Sequence, residues 1–197
     1  TKTPEEFTKI LSETDSRPEI GSAAALTAAS AAALLRRAAA LTAAEAADNT
    51  RVDYILRNSE TLRSYMVHLI DEDVKCRGPL RMAKKEGDAR KIEACRQTAL
   101  SICTEIINMM SQLIDMAKEL SAVCPADALC YAAEGTELAL TAVKITRMYI
   151  VSVAAQSPDE TYRYVTRREN ELTLEACSAA AAEVTAKAEE SLQTVHD

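Results

Sequence analysis

Apolar side chains return at alternating steps of three and four through most of the chain, the spacing of one face of a helix. The clearest run is Ile92, Cys95, Ala99, Ile102, Ile106, Met109, Leu113, Met116 and Leu120. It predicts a helix from about Asp88 to Ser121, a rod of roughly 50 Å at 1.5 Å per residue. A second stripe, Val52, Ile55, Ser59, Leu62, Met66 and Leu69, follows the break and cap at Asp48-Asn49-Thr50. Gly78-Pro79 is predicted to end that helix, because proline lacks the amide hydrogen that continues it. A short segment, Leu80 to Lys85, then leads to a further stop and cap at Gly87-Asp88. A third stripe begins after Cys124-Pro125 and runs from Leu129 to Val153. The turn Gln156-Ser157-Pro158-Asp159 opens a charged, alanine-containing helix from about Glu160 to Thr194.

The beginning of the chain reads differently. Thr3-Pro4-Glu5-Glu6 has the pattern of a capping box with proline in the first turn, so a short helix reaches about Leu11. Residues Thr14 to Gly21 have no apolar period and read as a loop. From Ser22 to about Ala47 the chain is mostly alanine, the best helix former. Few charges cover this segment, which predicts a central helix buried on most sides. Short connections, no repeat and no shift of composition predict one all-α domain over residues 1–197, a bundle of long antiparallel helices.

Composition narrows the picture. The 197 residues include 36 alanines, four glycines, five prolines, one phenylalanine and no tryptophan. A sheet protein needs more turn, β-branched and aromatic residues than this, and a glycine-loop nucleotide fold needs more glycine. The formal charge of −7 argues against nucleic acid or a membrane surface as partner. The longest apolar stretch, Ala23 to Leu35, is followed by Arg36 and Arg37 and is too short to span a bilayer. Six cysteines with no CxxC pair predict reduced thiols and a cytoplasmic location. Only His68 and His196 are present, so no metal is expected.

Asp73 is the residue that breaks a pattern. It continues the stripe after Leu69, and a carboxylate facing a core costs several kcal/mol unless it is paired or sits in a cleft. One reading makes it a general base. The other makes it an end-of-helix residue that reaches water or Arg77. Gly21-Ser22 precedes the alanine helix, where free backbone N–H groups attract an anion or simply form a cap. Lys144 and Arg147 share one helix face, and Arg163, Arg167 and Glu171 share another. Each is a solvated face or a clamp for a carboxylate. His68, beside its stripe, reads as a structural histidine, and Tyr131 and Tyr149 read as core.

The order of these features resembles the cyclodeaminase/cyclohydrolase family, which includes formiminotransferase-cyclodeaminase and the methenyltetrahydrofolate cyclohydrolases. The family has a short leading helix, a loop of proline and three glycines before a small-residue helix, and an Asp-x-x-Ala-Phe near the end of the next long helix. Here the corresponding stretches are Pro4-Glu5-Glu6-Phe7, Pro18-Glu19-Ile20-Gly21-Ser22 and Asp73-Val74-Lys75-Cys76-Arg77. Ser157-Pro158-Asp159-Glu160-Thr161-Tyr162 resembles the family's turn into its last helix. The resemblance implies a cyclodeaminase-like fold, a homodimer and a tetrahydrofolate derivative as substrate, without a metal. It implies Asp73 as the catalytic carboxylate and Gly21 and Ser22 as backbone donors to substrate. Glu19 and Ile20 stand where the family has glycines, and the asparagines of a later family loop are missing. Those departures keep an alternative open: a helical dimer repurposed as a binding or assembly subunit.

Overall fold

Thr3 caps the first helix as its sequence predicts. Its hydroxyl accepts from the Glu6 amide at 3.2 Å, and the Glu6 carboxylate accepts from the Thr3 amide at 2.8 Å. The computed structural model describes residues 3–13, 20–45 and 49–194, with the side chains of Arg77 and Thr194 left aside. Within them the chain forms six helices: α1 (Pro4–Leu11), α2 (Ile20–Glu45), α3 (Thr50–Glu86), α4 (Ala89–Leu120), α5 (Ala126–Ala154) and α6 (Glu160–Thr194). No strand occurs among the described residues. The all-α bundle expected from the periodicity is therefore the observed one. Asp48 and most of the Thr14–Gly21 loop lie outside the described residues, and α2 already includes Gly21.

Helix α2 runs through the middle of the bundle and packs against α3, α4 and α5. Its buried face is almost all alanine, from Ala24 through Ala39, with Leu35 the one large side chain. The larger side chains come from its neighbours: Ile55 and Met66 on α3, Ile106, Met110 and Leu113 on α4, Val143 on α5. Helix α6 closes the far side through Cys177, Ala181, Val184 and Ala188. Helix α2 is also long and apolar enough to cross a membrane, although half of its most apolar window is buried inside the bundle. Helix α1 has no buried residue and packs against none of the other described helices.

The predicted stop at Gly78-Pro79 is not where α3 ends. The helix continues through Pro79 to Glu86, 37 residues in all. Lys75 and Pro79 both lie on the exposed side, so the Lys75 carbonyl that loses its amide partner can be hydrated. One turn further on, Ala83 is buried and anchors the continuation. The true end is Gly87, at φ 70°, whose amide donates to the carbonyls of Ala83 and Lys84. Asp88 then caps α4, accepting from the amides of Arg90 and Lys91.

Gly135 sets the spacing between α5 and α2. A β-carbon there would lie 2.9 Å from the Ala31 carbonyl oxygen and 3.2 Å from the Leu35 amide nitrogen. Both are backbone atoms of a helix and cannot swing away. Replacing glycine by alanine inside a helix ordinarily gains about 0.8–1 kcal/mol. Overpacking costs about 1–3 kcal/mol. Gly135→Ala is therefore expected to lower stability on balance, read as a lower midpoint of urea unfolding. A midpoint at or above that of the wild type would mean that the two helices part without cost.

Candidate functional site

Asp73 is fully buried. Helical phase carries it past Leu69 onto the inner side of α3, opposite the first turn of α2. The first amides of a helix have no partner within the helix and carry the positive end of its dipole. One of them is met here: the Ser22 amide donates to Asp73 Oδ2 at 2.9 Å. The Ser22 hydroxyl lies 2.8 Å from the same oxygen and 3.3 Å from the Ile70 carbonyl. Gly21 completes the seat, since a β-carbon there would stand 2.6 Å from Asp73 Cγ. The three residues singled out in the sequence thus meet one another. The anion at the N-terminus of α2 is this chain's own carboxylate.

The other candidates fall elsewhere. His68 is an exposed side chain on α3, 3.7 Å from Glu72. Tyr131 is part-buried with the Arg37 guanidinium over its ring at 4.3 Å. Arg147, Arg167 and Arg168 converge on Glu171, at 3.9, 2.9 and 3.7 Å. Among the described residues no group of His, Cys, Asp and Glu is arranged to hold a metal ion.

One pairing escaped the sequence reading. The Tyr65 hydroxyl on α3 donates to Glu105 Oε2 on α4 at 2.5 Å. That bond, then partial burial, pushes the Tyr65 pKa up from the usual phenol value. Both residues adjoin stripe positions, Met66 and Ile106. The signal that joins them is the tight reversal at Gly87, which folds α4 back along α3.

The family described as formiminotransferase-cyclodeaminase matches residues 3–172. The chain belongs to that family. The match takes in the leading helix, Gly21, Ser22 and Asp73, and stops within α6. The crystal structure of formiminotetrahydrofolate cyclodeaminase from Thermotoga maritima aligns with a TM-score of 0.83 at 17% identity, over 96% of this chain and 96% of that one. At that identity the likeness establishes the fold. No curated protein sequence matches the chain.

The seat of Asp73 gives a test of its own. Alanine at position 21 would ordinarily favour a helix, yet its methyl would force the carboxylate off Ser22. Losing a hydrogen bond to a charged group costs about 1.5–3 kcal/mol. Gly21→Ala is expected to be destabilising in thermal melts, and much less so when Asp73 is already alanine. Additive effects in that double-mutant cycle would show that the methyl and the carboxylate do not meet.

Proposed function

We propose that this family member is a folate-dependent one-carbon enzyme acting on a formimino- or methenyl-tetrahydrofolate. The observation that carries the reading is the family match over residues 3–172, with Asp73, Gly21 and Ser22 assembled as one buried unit inside it. Ring closure with loss of ammonia and addition of water to a methenyl carbon both pass through cationic and tetrahedral species. Asp73 would stabilise the cation and take up a proton, while the amides at the start of α2 would orient the substrate. Because Asp73 has no exposed surface, substrate contact requires the first turn of α2 to part from α3. Six thiols without a disulfide are in keeping with a cytoplasmic location.

A second reading has its own support. Asp73 already caps α2, so its carboxylate has a structural task whether or not the chain is catalytic. In that case the protein is a repurposed binding or assembly subunit. Asp73→Asn separates the two. The enzyme reading expects near-native melting and turnover of formimino- or methenyl-tetrahydrofolate reduced by roughly two to four orders of magnitude. The structural reading expects a lower melting temperature and unchanged ligand affinity per folded molecule. Neither binding nor turnover by the wild-type chain, measured by calorimetry and absorbance, would defeat the enzyme reading outright.

We also propose a homodimer, formed through the first half of α6 and the adjoining end of α5. Met148, Tyr164, Val165 and Leu172 are exposed there, with Met148 at 69% and Tyr164 at 70%. Monomeric proteins rarely leave such large apolar side chains grouped on one face. The charges of α6 change sign along this stretch, from Arg163 and Arg167 to Glu171 and Glu175. An antiparallel copy about a two-fold axis near Glu169 would lay the basic start of one α6 along the acidic stretch of the other, with Arg167 and Glu171 exchanging their pairing within the chain for one across the interface. Sedimentation at micromolar concentration is expected to give a species of twice the 21.4 kDa chain mass, and Tyr164→Asp is expected to halve it. A wild-type monomer would rule the interface out.

A further inference from the structure

We infer that the cleft between α3 and α4 is a binding site for a small organic cation of the amidinium type, held by Glu105 and Tyr65. The cleft has a volume of about 490 Å³, within the range of roughly 300–1,000 Å³ of small-molecule pockets. Its floor is apolar, with Leu69 from α3 and Ile102 from α4 both buried. Its walls carry the Tyr65 ring and the Glu105 carboxylate.

The charge of the ligand follows from the ion pairs. Glu72, at the edge of the cleft, is neutralised by Lys75 at 2.8 Å. Among the described residues no lysine, arginine or histidine pairs with Glu105. Its Oε2 accepts from the Tyr65 hydroxyl. Its Oε1 has no protein donor among the described residues. A half-buried carboxylate in that state attracts a cation far more than one in open water.

The shape of the ligand follows from the same two residues. Oε1 and the Tyr65 hydroxyl oxygen are acceptors on either side of one short hydrogen bond. A planar amidinium offers two N–H donors that can meet both, whereas an ammonium offers a point charge. An aryl or alkyl substituent would cover Leu69 and Ile102. A phenol is protonated through neutral pH, so the Tyr65 hydroxyl keeps donating to Glu105 there.

This site uses none of the atoms that hold Asp73, so it stands apart from the folate reading. The probe is benzamidinium chloride, titrated into the full chain and followed through the His68 ring proton. His68 stands at the mouth of the cleft with its ring centroid 6.3 Å from that of Tyr65. The chain has two histidines, and His68→Gln assigns the signal. A saturable shift is expected. Glu105→Gln, which still accepts from Tyr65, is expected to weaken binding by roughly tenfold or more. Tyr65→Phe is expected to weaken it less. Glu93→Gln, a carboxylate change elsewhere on α4, is expected to leave it unchanged. Circular dichroism confirms that each variant is folded. Benzoate has the same outline and the opposite charge and is expected not to bind. The inference is overturned if the wild type gives no saturable shift, if benzoate binds equally, or if Glu105→Gln retains full affinity. Loss of folate turnover alone leaves it untouched.

Discussion

At Gly135 the backbones of α5 and α2 come so close that a single methyl group would press on the Ala31 carbonyl oxygen. That approach is possible only because the facing surfaces are small side chains, Ala28, Ala31 and Ala32 on one helix and Ala132 and Ala139 on the other. A leucine at any of these places would push the axes apart. Dispersion between the two backbones then replaces the contact that large side chains supply in other bundles. The same closeness explains the buried hydroxyls of Thr136 and Thr146. Each donates to the carbonyl four residues earlier in its own helix, so no polar partner from a neighbour is needed.

With α2 fixed on α5, its N-terminus points at α3, and the buried Ser22 amide there needs an acceptor. Asp73 meets that need from 51 residues away. A carboxylate in such a place is an anchor between α2 and α3 before it is anything else, and any chemistry it performs has to be compatible with that anchoring. The Tyr65–Glu105 pair links α3 to α4 by a different means. It lies in an open cleft, and its carboxylate retains acceptor capacity that a purely internal tie would have used up.

Much of the fold was legible from local signals. The capping box at Thr3 and the caps at Asn49 and Asp88 were read where they occur, because a cap is a matter of three or four adjacent residues. The start and end of α6 and the length of α4 followed equally well. Pro79 misled because the rule against proline in a helix is local, while the helix is carried past it by the burial of Ala83. The candidate site was half legible. Helical phase put Asp73 on the inner face, and the run of alanine put a helix start at Gly21-Ser22. That the two meet depends on how α2 lies against α3, which no short window of sequence contains. Gly135 carried no signal at all in the sequence, since its role is defined by atoms of another helix.

The alanine face of α2 also bears on how the protein responds to temperature. Buried alanine has no rotamers to lose, so ordering this helix costs backbone entropy and almost nothing more. It also removes little apolar surface from water per residue, and the heat-capacity change of unfolding scales with that surface. A bundle centred on such a helix has a shallower stability curve than one of equal length centred on leucine. Its margin over the unfolded state changes slowly with warming or cooling, and cold weakens it less than it weakens a core of large side chains.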